Sequence, residues 1–594
     1  MLQRYSVWAP EAQRVDVHLG VDGARVEPMS PEGGGWWSVD ADPGDGRYAF
    51  SLDGGDPLPD PRARRMPDGV HAASALVDPG GFDWSDGDWK GCPLKGSVIY
   101  ELHIGTFTDA GTFDSAIERL DHLVDLGVDV IEVMPVASFP GRNGWGYDGV
   151  ALYSVHEPYG GPAGLQRFVD AAHVRGLAVW LDVVYNHFGP VGNYLPQFGP
   201  YFTDRHQTPW GVAVNLDGPG SDEVRAYFLD NVRQWLLDYH LDGLRLDAVH
   251  ALHDESAIHL LEELATLAED IGTATGIPRV LVAESDRNDP RTVAAPSAGG
   301  AGGLGLDGQW ADDIHHTLHV LLTGETQGYY ADFADPQALP KVLAHTPFFH
   351  DGVYSSFRGR RHGRPIQPSI TPGWRYVGSL QTHDQIGNRA TGERLSHLAG
   401  RGRAAIGAAL LLTSPYTPML FMGEEFDAST PWQYFTDHEE EWLAESIRTG
   451  RQAEFAEHGW SGNVPDPQDP GTVDTSTLNW ADLDDPERQE FLDWYKTLLR
   501  LRRELPTVRD AALGEGAVVR KGDLLLVRRG TVEVLANLGD EPGRLTVPDG
   551  SQLLARFGEV VLTYAGEVAL GPQSVGLLRA PLPDITGEIP RIVV

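Results

Sequence analysis

The chain has 594 residues, with 85 Asp and Glu against 46 Lys and Arg, for a formal net charge of −39. That surplus repels polyanions, so DNA, RNA and anionic membrane surfaces are poor partners. Hydrophobic residues make up 41% of the chain and the acids are spread along it, which excludes a block-charged disordered tail and leaves ample chain for a large core.

Residues 1–90 carry short alternating segments, 14–19 and 47–52 among them, bounded by Gly and Pro clusters. They read as an N-terminal immunoglobulin-like β-sandwich, with Trp36 and Trp37 assigned to its core rather than to a sugar surface. Residues 83–95 form a linker, and the single cysteine, Cys92, is an incidental thiol within it. Over 91–505 the rhythm changes. Apolar runs at 98–102, 130–134, 178–184, 243–247, 280–284, 376–382 and 418–421 alternate with amphipathic stretches such as 113–126, 165–175, 222–239 and 255–271. With an eighth strand at 308–311, this alternation predicts a (β/α)8 TIM barrel whose strands are buried on both faces.

Residues 185–220 have no helical period and are rich in Gly, Pro and aromatic residues, so they read as a loop subdomain on the active face of the barrel. The 20 uncharged residues 404–423 are nearly long enough to span a bilayer, but Pro415 and Pro418 break them. A buried helix, a turn and a buried strand are expected there instead. Residues 506–594 return to short strands, a C-terminal antiparallel β domain. The first ten residues lack a charged region followed by an apolar stretch, so a cytoplasmic protein is expected.

Four of the apolar strands end on ionisable residues: Asp182; Arg245 with Asp247; Glu284; and His383 with Asp384. Alternation along a strand puts Arg245 and Asp247 on one face, and a barrel delivers all four tips to its C-terminal mouth. One such acid alone reads as a helix cap or a structural ion pair. Four strand ends behaving alike point to a site, because buried carboxylates beside an Arg are costly unless paired or functional. Three carboxylates and a guanidinium supply what glycoside hydrolysis needs: an ionised nucleophile, an acid with a raised pKa and a clamp on sugar hydroxyls.

At residues 182–187, 243–250, 280–285 and 383–388 the sequence resembles, in order, the four short motifs of the α-amylase family of glycoside hydrolases. The resemblance implies Asp247 as nucleophile, Glu284 as general acid/base and Asp384 as the residue that binds ring hydroxyls and helps distort the sugar. It implies Arg245 as the cation that keeps Asp247 ionised, His187 and His383 as hydroxyl ligands, and Tyr147 as the aromatic platform. Asp182 is implied as structural support, and His250 as a contact on the leaving-group side. Within that family, 284–291, 381–389, 421–425 and 434–440 are similar to the maltooligosyltrehalose trehalohydrolases. Those enzymes cut the α-1,4 bond next to a terminal trehalose with retention, which requires carboxyl groups about 5–5.5 Å apart. The substrate implied is an α-1,4-glucan oligosaccharide with terminal trehalose.

The alternatives are a branching or debranching enzyme of the same family, and a non-catalytic glucan-binding protein. The second is disfavoured because Asp247, Glu284 and Asp384 occur together. His315 and His319 lie four apart on a predicted helix and raise zinc, but a helix start lining the groove explains them, and no oxygen-rich calcium loop is recognisable. No metal and no cofactor are expected. Trp432 and Tyr434 read equally as core or as substrate contacts.

Overall fold

The apolar runs close on themselves. In the computed structural model, which describes residues 2–297, 302–369, 371–457, 464–509, 512–563 and 566–581, eight parallel strands pair in chain order and the last pairs with the first. They are Ile99–Leu102 (β1), Val130–Val133 (β2), Ala178–Val183 (β3), Gly243–Leu246 (β4), Val280–Ala283 (β5), Gly308–Trp310 (β6), Tyr376–Ser379 (β7) and Thr417–Phe421 (β8). Every residue in these strands is buried. Outward-facing residues join the core between strands and helices, whereas Ile99, Val130, Trp180, Val282, Trp310 and Met419 form a separate cluster inside the barrel. The interior thus runs from apolar at the bottom to charged at the top.

The strands stop short of the expected ends at 247, 284 and 382: Asp247, Glu284 and Thr382 lie just past their strands, where the loops begin. The 113–126 stretch forms two helices, Phe113–Ile117 and Leu120–Leu126, with the break at Arg119, whose guanidinium lies 4.5 Å from the Trp480 ring centre. The 255–271 helix starts later, spanning Leu260–Thr275. Asp254 is held by Arg225 at 2.6 Å and accepts the Leu260 N–H, while His259 caps the helix through the Leu261 N–H. Residues 404–423 form the rest of a helix, Arg401–Leu412, then a turn and β8. Among the described residues no helix is long and apolar enough to cross a membrane.

Two antiparallel sheets precede the barrel, one of three strands and one of four, around Tyr5, Val15, Val17 and Phe50. Trp36 and Trp37 are half-buried against this core. The N-terminal sheets also reach the loop after β3: Trp8 meets Tyr201 edge-on at 5.4 Å, and His71 Nδ1 lies 2.7 Å from Tyr194 Oη. That loop contains the short helix Leu195–Phe198 and the hairpin Phe202–Thr208 with Gly211–Val214. After the barrel, a five-stranded and a three-stranded antiparallel sheet close the chain.

The connection into the barrel is pinned beneath it, at the N-terminal end of the strands. Asp86 Oδ2 lies 2.9 Å from His173 Nδ1 and 2.8 Å from His240 Nδ1, and the other His173 nitrogen is 2.9 Å from Asp242. Asp242 also accepts from the Trp89 indole at 2.7 Å and from the Val179 N–H at 2.9 Å. Trp89 stacks on His173, and Trp84 on His240. Burial opposes a charge on His173, but its bonds to Asp242 and Asp86 outweigh it and raise its pKa.

Candidate active site

Arg245 is the hub of the upper barrel. It stands in register with Asp182 on the neighbouring strand and is fully buried. Its Nη1 donates to Asp182 Oδ2 at 2.7 Å and to Asp247 Oδ1 at 2.8 Å, its Nη2 lies 3.6 Å from Glu284 Oε2, and its guanidinium covers the Trp310 ring at 4.2 Å. A buried guanidinium is stabilised only by such a set of anions. Asp247 is held from its other side, where Oδ2 accepts from Asn186 Nδ2 at 2.7 Å.

The chain turns sharply after Asp247. Ala248 has φ +41° and ψ +48°, a left-handed conformation that strains a residue with a Cβ. The turn aims the Ala248 N–H at Glu284 Oε2, 2.6 Å away. Burial raises the Glu284 pKa to about 8; Arg245 opposes the rise, and Asp247 and Asp384 add to it. Glu284 is therefore a protonated acid at neutral pH. Burial also lifts Asp182 to about 6, against the pull of Arg245.

His383 and Asp384 open a one-turn helix, His383–Gly387, capped by Thr382, whose hydroxyl accepts the Gln385 N–H. Tyr147 spans the gap between two strand ends: its hydroxyl donates to Asp182 Oδ2 at 2.5 Å and lies 2.8 Å from His383 Nε2. Asp384 is the most open acid of the group, with 43% of its side chain exposed. These residues line a cleft of about 550 Å3 together with His187, His250, Trp145 and Trp210.

All nine residues singled out in the sequence converge here, with differences of detail. His187 has both ring nitrogens engaged within the protein, Nδ1 with Asn186 Oδ1 at 2.5 Å and Nε2 with the Tyr147 carbonyl at 3.0 Å, and it stacks on Trp210. Its contribution to the cleft is a stacked ring rather than a free donor. His250 Nδ1 has no partner and burial lowers its pKa, so it reaches the cleft as a neutral ring. Tyr434 lines the cleft, whereas Trp432 is fully buried and stacks on Trp145. His319 is 2.7 Å from Glu325 and His315 is 3.2 Å from Tyr330, so the pair is not arranged around a common ion. Among the described residues no group of three His, Cys, Asp or Glu is placed to hold a metal.

Sequence reasoning missed Asn186, Ala248 and Trp210. Asn186 lies between Asp182 and His187 and was within reach of the motif. Trp210 could not be placed without the hairpin that carries it.

The comparisons agree with this geometry. Residues 77–199 match the α-amylase catalytic domain model, and 511–577 match a domain of unknown function. A malto-oligosyltrehalose trehalohydrolase from Rhizobium sp. (strain M-11) is 51% identical over 587 residues, covering 97% of each chain. The chain belongs to the malto-oligosyltrehalose trehalohydrolase family. A second trehalohydrolase, from Arthrobacter ramosus, is 50% identical over 96% of this chain and 99% of its own. A crystal structure described as a putative α-amylase from Salmonella typhimurium superposes with a TM-score of 0.88 at 38% identity, covering 97% of this chain and 98% of that one. Trehalohydrolase-family membership thus extends over the N-terminal sheets, the barrel and the C-terminal sheets.

Proposed function

We infer that the protein hydrolyses the α-1,4-glucosidic bond next to the terminal trehalose of a maltooligosyltrehalose, releasing trehalose and a maltooligosaccharide with retention. The observation that carries the chemistry is the asymmetry of two neighbouring carboxyls. Asp247 is held by a buried guanidinium and the Asn186 amide, while Glu284 is raised to about 8 and keeps its proton. A carboxyl raised so that it keeps its proton, beside one bonded to a buried cation, assigns acid and nucleophile. The substrate comes from full-length relatives at about half identity that carry the trehalohydrolase name.

In this reading an Asp247 oxygen attacks the anomeric carbon as the bond to the trehalose oxygen breaks, and the Glu284 proton passes to that oxygen. The glycosyl ester left on Asp247 is opened by water, whose proton returns to Glu284 and whose hydroxyl goes to the anomeric carbon. Arg245 stabilises the Asp247 carboxylate at both ends of the cycle. Asp384, His383 and Tyr147 surround the sugar being cleaved, His187 and Trp210 offer stacked rings at the rim, and His250 lies toward the leaving trehalose. Asp182 supports Arg245 and Tyr147. A cytoplasmic setting belongs to the same reading.

The test is incubation with maltooligosyltrehalose, plain maltooligosaccharide and amylopectin, followed by product analysis and proton NMR of the first-formed anomer. Free trehalose and an α-anomeric oligosaccharide as the main early products are expected. New α-1,6 branches would establish the branching alternative, and no turnover on any glucan the non-catalytic one.

A further inference from the structure

Strands β1 and β2 each point one carboxylate into the barrel beneath the cleft, and the proposed reaction uses neither. Glu101 and Glu132 are in register and buried. Their surroundings differ. Both Glu101 oxygens face nitrogens of His383: Oε1 lies 2.5 Å from the ring Nδ1, and Oε2 accepts the backbone N–H at 3.1 Å. Neither Glu132 oxygen has a hydrogen-bond partner.

A count of hydrogens points to the state of His383. The one hydroxyl proton of Tyr147 goes to Asp182, so the contact between Tyr147 Oη and His383 Nε2 takes its hydrogen from the ring. At the other nitrogen, an ionised Glu101 can only accept. Both ring nitrogens then carry hydrogen, and an unbroken series of bonds runs Glu101–His383–Tyr147–Asp182–Arg245–Asp247.

We propose that Glu101 is a positioning residue of the reaction, holding His383 as an imidazolium so that Tyr147 donates to Asp182 and a positive charge stands beside Asp384. The proposal rests on the trehalose-releasing reading of the same site.

The charged groups around His383 support it. They are Glu101 on β1, Glu132 on β2, Asp182 on β3, Arg245 on β4, His103 just past β1, and Asp384 beside it. Burial and Arg245 disfavour the cation, but Asp384 and Glu101 outweigh them and raise His383 to about 9. Burial, with Glu101 adding to it, pushes the Glu132 pKa far above the carboxylate range. An amide at position 101 removes the anion. The Nδ1–H can still donate to the amide oxygen, but Nε2 then loses its hydrogen and accepts from Tyr147, which takes the hydroxyl proton away from Asp182.

Two isosteric variants in neighbouring strands separate this from a general effect of disturbing the barrel. In pH–rate profiles for trehalose release from maltooligosyltrehalose, the wild-type alkaline limb belongs to Glu284, which titrates below His383. Glu101→Gln removes one of the two anions that raise His383, Asp384 being the other, so kcat at neutral pH should fall about tenfold or more with KM changed less than about threefold. Its alkaline limb should move down by about two pH units or more. Glu132→Gln and the charge-preserving Glu101→Asp should keep the wild-type limb. A Glu101→Gln limb that coincides with wild type, or an equal shift in Glu132→Gln, overturns the proposal.

A second measurement needs neither a folded Glu101 variant nor a substrate. In 15N-histidine NMR of the wild type, the His383 signal, assigned by its loss in His383→Asn, should show both nitrogens protonated at pH 7. A neutral tautomer there overturns the proposal. A wild-type protein that releases no trehalose counts against the functional reading instead.

Discussion

The barrel carries a charged cluster at each end, built from the same residue types. At the lower end Asp86, His173, His240 and Asp242 are matched donor to acceptor, and two indoles cover them. At the upper end Asp182 Oδ1, Arg245 Nε and Nη2, and His250 Nδ1 make no hydrogen bond, and a cleft of about 550 Å3 opens over them. Buried polar atoms are ordinarily satisfied, so an unmatched set lying under an open cleft fits a place where burial serves chemistry. Charge and burial alone do not distinguish a site from a latch. The open cleft above the unmatched atoms does.

That contrast can be broken by substitution. The largest effect is expected from Asp247→Asn, which keeps shape and removes the nucleophile. Trehalose release should fall by about 10^4-fold or more while maltooligosyltrehalose still binds, and turnover near wild type would move the nucleophile elsewhere. Glu284→Gln should cost about 10^2 to 10^4 in kcat, with partial recovery on a glycosyl donor whose leaving group needs no proton. The wild-type rate should decline as the pH rises through about 8, where Glu284 loses its proton, and a flat profile across that range would remove Glu284 as the acid.

At the lower end the expectation reverses. His173→Gln should leave kcat within about twofold yet destabilise the fold by about 3 kcal/mol, because it removes the cation that two buried carboxylates share. This is read as a lower urea midpoint. Since the folded pKa of His173 lies above its unfolded value of about 6.5, its contribution is complete below that pH and is lost as the pH rises through the folded value. A wild-type midpoint that does not fall across that window, relative to His173→Gln, would show the latch to be neutral.

Most of the fold was legible because a barrel strand buried on both faces is an unbroken apolar run, and eight such runs alternate with amphipathic helices. The mouth was legible for the same reason, since an acid is conspicuous after Val280–Ala283 or Gly243–Leu246. Glu101 and Glu132 were equally conspicuous in apolar runs, but their meaning depends on the register that sets them side by side and on His383, 282 residues from Glu101. The lower cluster was illegible, because Asp86, His173 and Asp242 are 87 and 69 residues apart and only closure of the barrel joins them. The late start at Leu260 was hidden for a similar reason, as Arg225 on a different helix claims Asp254.

The N-terminal sheets are tied to the molecule at two heights. The connection that follows them is fastened under the barrel through Asp86, and their own surface meets the loop after β3 through Trp8–Tyr201 and His71–Tyr194. They act as a strut between the base of the molecule and the wall that carries Trp210. Shortening the N-terminus past Trp8 would remove one of the two contacts that brace that wall, with every reacting group still in place.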